Sequence, residues 1–526
     1  MIILIIKGSI HRNIKNQNNR MKRNNKIIKI SIGLFILLFT ACELDYEPVS
    51  QLSENTVGTK DTTGVEIKYK DREAMLAVYR NIYQRMTGNQ EHWYLDYLLF
   101  SECRSDNAYA GTTGAEVVPV ETNNLDASNS VIARDWDRYM GDIAAANNII
   151  SNIDLVPDQS LTKPERNLWK AEAKIYRAMI MFDMVRWFGN FPVITKEAGK
   201  ITAENIEEVY PLYFPKSNTP AEAYAQIISD LRSALEHAPA NNNTDKTILS
   251  KTVAKALLAK VYAERQVQNP DSVIYFADQV MADGISLVPN YSDLFGLNDS
   301  KTDAKARNTS ESILELQYFT GSGNWVTWMF GRDLLDYDFY FTWAKWVTPS
   351  RDLIKAFDDA GDVKRKNESI VYYETAWSNY YDSKNYPFMY KCRSNANSII
   401  KLRGADIMLL KAEALARKNQ LSQAAQVVNT VRQRVNLPAL SASAVSSKEN
   451  LLDAILLERR LELAFEGHRL FDLIRHEKLQ SVMNTLNQRD PGRLKQAREF
   501  SVESELLPIP QPVLDENTNL KQNPGY

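Results

Sequence analysis

The chain has 526 residues, 44% hydrophobic and 24% charged, the balance of a folded protein with length for one to three domains. Its formal net charge of −2 gives no electrostatic case for nucleic acid, which favours a concentrated basic face. Five histidines and three cysteines, with no zinc-type spacing, make a multi-histidine metal centre a poor reading, and neither metal nor cofactor is expected.

In chain order, the first signal is basic, then apolar, then small: Met21 to Lys26, Ile27 to Phe39, and Thr40-Ala41-Cys42. The apolar core from Ile30 to Ala41 is too short for the ~20 residues of a spanning helix. Residues 1–41 therefore read as a secretory signal peptide starting at Met21, with Cys42 as the acceptor of a lipid anchor. An ordinary cleaved signal with an incidental cysteine is the alternative. Residues 42–70 are polar and without period, which reads as a tether, and 71–526 as one domain. Cys103 and Cys392 are left to form one disulfide or two buried thiols.

Helical periodicity begins with Ala74, Ala77, Val78, Ile82 and Met86. A second helix is expected over Trp136–Ile153. A third begins near Lys163, with Thr162 as cap and Pro164 in the first turn, and Gly189-Asn190 ends it. Pro220–His237 follows. Thr252–Arg265 with Asp271–Met281, and Ala405–Arg417 with Leu421–Val435, repeat one helix-turn-helix unit. Alanines such as Ala412, Ala416, Ala424 and Ala425 allow close helix approach, as in tetratricopeptide-like stacking, so the expected class is mainly α with about four such pairs. Residues 285–400 interrupt the array: Ser312–Tyr318 alternates like a strand, and the stretch from Tyr372 to Tyr390 is dense in Tyr, Asn, Ser and Asp. So long an excursion from a helical scaffold points to a binding surface, and nine Trp and 25 Tyr suit flat, partly polar ligands such as sugars.

The densest local motif runs from Leu457 to His476. On one helix, Glu458, Glu462 and Glu466 would stack at i, i+4 and i+8, a repulsive arrangement that calls for nearby arginines. A salt-bridged packing face, with Gly467 making the turn, is the leading reading; a glycosidase pair of Glu462 and Glu466 is the alternative. No other enzyme signature is present, neither G-x-S-x-G nor H-E-x-x-H nor a phosphate-cradling loop, and no catalysis is expected.

Taken in order, several segments resemble the SusD/RagB family of outer-membrane nutrient-binding lipoproteins. They are Ser105-Asp106-Asn107-Ala108-Tyr109, Trp136–Asn147, Ala171–Gly189, Leu402–Ala414 (with Gly404 in place of the usual aromatic), Glu458–Arg475, Leu507–Pro510 and Gln522–Tyr526. The resemblance implies a lid that captures oligosaccharide (peptide in some relatives) for a SusC-like TonB-dependent transporter, with the repeat helices facing that partner. Glu43 and Asp45 are similar to the family's surface-export signal, which implies the outer face of the outer membrane, reached through the lipid anchor only. It further implies ligand contacts from the segment after the first helix (Trp93, Tyr97, Asn107, Tyr109) and from the insertion (Asn324, Trp325, Trp328, Arg332, Tyr337, Trp343, Trp346). Trp136, Trp169 and Trp187 fall on helical stripes and read as core, while His92 and His468 read as hydrogen-bonding surface or interface residues.

Overall fold

The computed structural model describes residues 59–60, 66–112, 114–319, 321, 323–326 and 345–526. Met1–Lys60 and Asp61–Tyr526 are separate units, and only residues 59–60 of the first are described. Cys42 lies outside the described residues.

Helices build the second unit. Asp71 starts α1 (Arg72–Gly88), its carboxylate accepting the Ala74 N–H at 2.8 Å. One π-helical turn, Glu91–Leu95, leads into α2 (Asp96–Cys103). Helix α3 (Ser130–Asn152) begins earlier than the apolar period suggests, because Asn129 caps the N–H groups of Val131 and Ile132. Helix α4 (Lys163–Phe188) has Pro164 in its first turn and stops at Gly189, whose φ of 67° suits a residue without Cβ. Thr162 occupies the cap position without a side-chain cap bond. After the short α5 (Ile206–Tyr213), a reciprocal capping box of Thr219 and Glu222 opens α6 (Pro220–His237). Then come α7 (Lys251–Ala263), α8 (Pro270–Ala282), α9 (Arg351–Asp359), α10 (Gly404–Arg417), α11 (Leu421–Arg434), α12 (Lys448–Glu462) and α13 (Arg469–Arg475).

Each long helix packs on the next: α3 on α4, α4 on α6, α6 on α7, α7 on α8, α8 on α10, and α10 on both α11 and α12. This is the stacking of tetratricopeptide-like pairs. Ala254, Ala277, Ala412, Ala416 and Ala424 are fully buried at these crossings, where larger side chains would force the helices apart. Trp136, Trp169 and Trp187 are buried as well.

The helix expected to carry Glu458, Glu462 and Glu466 falls short. It ends at Glu462, and Phe465 (φ 61°) and Gly467 (φ 80°) turn the chain before α13. Glu466 therefore sits on the turn.

Among the described residues the strands are short and pair in twos, most of them between α8 and α10. They include β2 (Ser312–Leu316) with β6 (Ile399–Arg403), β4 (Ile370–Tyr373) with β5 (Tyr386–Met389), and β3 (Thr348–Pro349) with β1 (Ala108–Tyr109). The last pair joins the segment after α2 to the insertion. Cys103 and Cys392 are both buried and are not joined to each other. No helix of the described residues is long and apolar enough to cross a membrane.

Candidate functional site

The polar, aromatic run after α1 is interior. Trp93 is buried and its Nε1–H donates to Asp142 Oδ2 at 3.1 Å. Tyr97 is buried with its hydroxyl accepting from Arg186 Nη2 at 2.8 Å. Both line an interior cavity of about 80 Å³ with Phe182, Lys391 and Lys401, room for a few waters. Asn107 donates to Glu102 Oε2 at 2.8 Å and accepts from Arg460 Nε at 2.9 Å, so its amide is consumed inside the protein. Tyr109 donates to Asp490 Oδ2 at 2.6 Å and accepts the Arg351 N–H at 3.0 Å. Asn324 is buried too, donating to the carbonyls of Asn397 (2.8 Å) and Asn395 (3.1 Å). These five residues are corrected from ligand contacts to packing and loop-pinning groups. The cause is local charge: Arg460 and Arg469 surround Asp106 and let the whole 105–109 segment leave water. His92 is likewise core, its Nε2 sitting 2.8 Å from Asp142 Oδ2.

Glu462 and Glu466 are buried in a cation network. Arg403 Nη1 lies 2.6 Å from Glu462 Oε1, and Arg403 Nε lies 2.7 Å from Glu466 Oε2. Arg365 reaches Glu462 Oε2 at 2.9 Å, Arg434 also pairs with Glu462, and Lys391 pairs with Glu466. Burial alone would raise the Glu462 carboxyl; the Arg434, Arg403 and Arg365 guanidiniums overcome it and hold the group well below the usual carboxylate range. Glu466 is lowered in the same way by Arg403 and Lys391. Retaining glycosidases need one carboxyl that keeps its proton and a cleft that admits sugar. This pair has neither, and it fastens the turn after α12 to β6.

The 393–397 turn of the insertion is itself mostly buried, with Asn395 exposed, and a groove opens beside it. The groove, of about 470 Å³, is lined by Tyr373, Tyr390 and Arg393 from the insertion's later part and by Ser292, Gly296–Asp299, Lys301 and Lys305 from its earlier part. That volume is within the roughly 300–1,000 Å³ of small-ligand sites. Hairpin β4–β5 presents Tyr373, with 37% of its surface exposed. Arg393 stacks on Tyr390, its guanidinium carbon 3.8 Å from the ring centroid, and is anchored by Glu368 Oε2 at 2.7 Å. Asp299 and Lys301, both exposed, make no ion pair among the described residues. Beyond the turn lie Phe319, backed by the Arg307 guanidinium at 4.4 Å, and Trp325, which is 48% exposed. Arg307 ties the two halves together, donating to the carbonyls of Tyr318 (2.7 Å) and Ala396 (2.9 Å).

Of the other residues expected at the ligand surface, Trp325 is exposed to solvent, though it does not line the groove, and Trp346 is half-buried, its carbonyl accepting from Cys103 Sγ at 3.2 Å. Trp328, Arg332, Tyr337 and Trp343 lie outside the described residues. Tyr373, Tyr390 and Arg393 were not singled out from sequence; the signal for them was the Tyr-rich composition of 372–390. Aromatic faces with hydroxyl, amide and charged groups at their edges match the mixed apolar and polar surface of a sugar ring.

The SusD family profile matches residues 347–526, and a second profile, described as starch-binding associating with outer membrane, matches 45–263. SusD-like protein P2 of Formosa agariphila is 27% identical over 95% of this chain and 100% of its own. A solved laminarin-binding SusD-like protein superposes with a TM-score of 0.69 at 23% identity, over 87% of this chain and 100% of its own. Surface glycan-binding protein A of Bacteroides thetaiotaomicron, solved with laminarihexaose, gives 0.69 at 16% identity over 86% and 100%. The fold is thus shared across almost the whole second unit, and this chain belongs to the SusD/RagB family.

Proposed function

We propose that this protein captures oligosaccharide in the groove between the 393–397 turn and the 296–305 loop. The observation that carries the proposal is the groove itself: two tyrosine faces, Asp299 and Lys301 stand around one solvent-open space of about 470 Å³. The tyrosines would cover C–H faces while the charged and amide groups take hydroxyls. Two solved relatives, one named for laminarin and one holding laminarihexaose, support a glucan as the first ligand to try. Family membership supports delivery to a SusC-like TonB-dependent outer-membrane transporter, with this protein as its lid. It also supports an anchor at Cys42 on the outer face of the outer membrane. Glu462 and Glu466, enclosed by cations, give no reason to add hydrolysis.

The test is calorimetric titration of the chain from residue 43 onward against laminarin, laminarihexaose and a polysaccharide panel. Binding is expected, and Tyr373→Ala and Tyr390→Ala should each weaken it. Saturable binding that ignores both changes would place the site elsewhere; no binding to any glycan would end the carbohydrate reading.

A further inference from the structure

Fifteen large apolar side chains of the described residues are exposed, and five of them fall within 13 positions: Ile201, Ile206, Tyr210, Leu212 and Tyr213, each 43% to 52% exposed. Helix α5 carries four of these. Ile206, Tyr210 and Tyr213 repeat at i, i+4 and i+7, so they form one stripe, yet the protein body buries only Val209 of this helix. On the same 100° spacing Glu208 lies on the opposite side of the helix from the stripe, with Leu212 next to it, and Glu207 lies on the flank. Lys196, Lys200 and Lys216, all exposed, flank the stripe in sequence. An amphipathic helix whose apolar arc is left half-covered needs a second surface.

The anchored end of the chain meets the body at this place. Lys68 pairs with Glu197, four residues before Ile201, and Asn152 holds the same carboxylate at 2.8 Å. The 26 residues from Cys42 to Lys68 reach at most about 90 Å. A lipid at Cys42 would hold this part of the body within that reach of the bilayer. Tyrosines beside aliphatic residues, with lysines at the rim, are the side chains that lie in the headgroup layer.

We propose that the 201–213 segment is a membrane-contact patch, which lays α5 on lipid headgroups beside the tether's exit and fixes the orientation of the lid. This rests on the proposed anchor at Cys42, and it adds a second membrane contact to the lipid. A weak patch is enough, because the tether turns its binding into an intramolecular step.

The experiment is co-sedimentation of the chain from residue 43 onward, which keeps the Asp61–Tyr526 unit whole, with vesicles of phosphatidylethanolamine and phosphatidylglycerol. The unlipidated protein should pellet measurably. The double change Ile206→Glu with Tyr213→Ser should cut the bound fraction about tenfold, without moving the thermal midpoint, since both side chains are exposed. Equal pelleting of both proteins, or none, overturns the patch. So does a result in which the variant loses capture by a partner transporter instead of by vesicles. Radiolabelled palmitate incorporation, compared with Cys42→Ser, tests the anchor separately, and glycan titration of the variant should be unchanged either way.

Discussion

Tyr109 lies face to face with Tyr380, ring centroids 4.6 Å apart and planes 8° from parallel. The stack locks the segment after α2 to the insertion, next to the β1–β3 pair. Tyr380 also donates to Glu121 Oε2 at 2.7 Å, so its removal leaves a cavity and strips that buried carboxylate oxygen of one of its two donors, the Ala110 N–H remaining. Tyr380→Ala should cost about 3 kcal/mol or more of unfolding free energy, read from urea denaturation.

Arg403 has no apolar substitute in its place. Met there would remove one cation from Glu311, Glu462 and Glu466 together while Arg365, Arg434 and Lys391 remain. Breaking a buried pair from one side costs about 3–5 kcal/mol. Arg403→Met should therefore unfold at clearly lower urea; a shift below about 1 kcal/mol would show the remaining cations suffice.

Glu172 gives a pH signature. Burial pushes its carboxyl up to about 7, against the Tyr79 and Tyr83 hydroxyls that favour the charged form. A folded pKa above the unfolded value means the folded state holds the proton more tightly. Its contribution is full below about pH 4.5 and is lost as pH rises through about 7, by roughly 3 kcal/mol in all. Glu172→Gln keeps the neutral shape, so it should gain on the parent between pH 5 and pH 8. Parallel stability curves of the two proteins would contradict this.

Trp325 and Trp93 should separate binding from folding. Trp325 is about half exposed beside the groove, so Trp325→Ala should weaken glycan titration by about 1 kcal/mol and leave the thermal midpoint in place. Trp93 is enclosed, so Trp93→Ala should lose about 3–5 kcal/mol of stability.

The helix array was legible because its apolar period, its prolines and Gly189 are local signals, and packing agrees with them. The turn at Gly467 was legible, but the helix end at Glu462 was not, since the period runs on through Leu470 and Leu473 while Phe465 is already left-handed. For the site, the region was readable and the residues largely were not. Ser105–Tyr109 looks like surface by composition, and only the distant Arg460, Arg469 and Asp490 show why it can be buried. The groove in turn depends on the 296–305 loop coming to face β4–β5, a pairing no local pattern announces.

The β2–β6 ladder sets Ser312 opposite Arg403 and Leu316 opposite Ile399. The excursion from the helix stack thus leaves and re-enters through neighbouring doors, and the arginine at its exit is clamped to the turn after α12. Between residues 317 and 398 the described chain is tied to the body at further points: Thr348–Pro349 pairs with β1, Tyr380 stacks on Tyr109, and Arg365 pairs with Glu458 and Glu462 of α12. Exchanges confined to exposed positions of that stretch, such as Tyr372 and Asn379, would leave the neck and these ties in place. New ligand preferences can then be tried on an unchanged chassis.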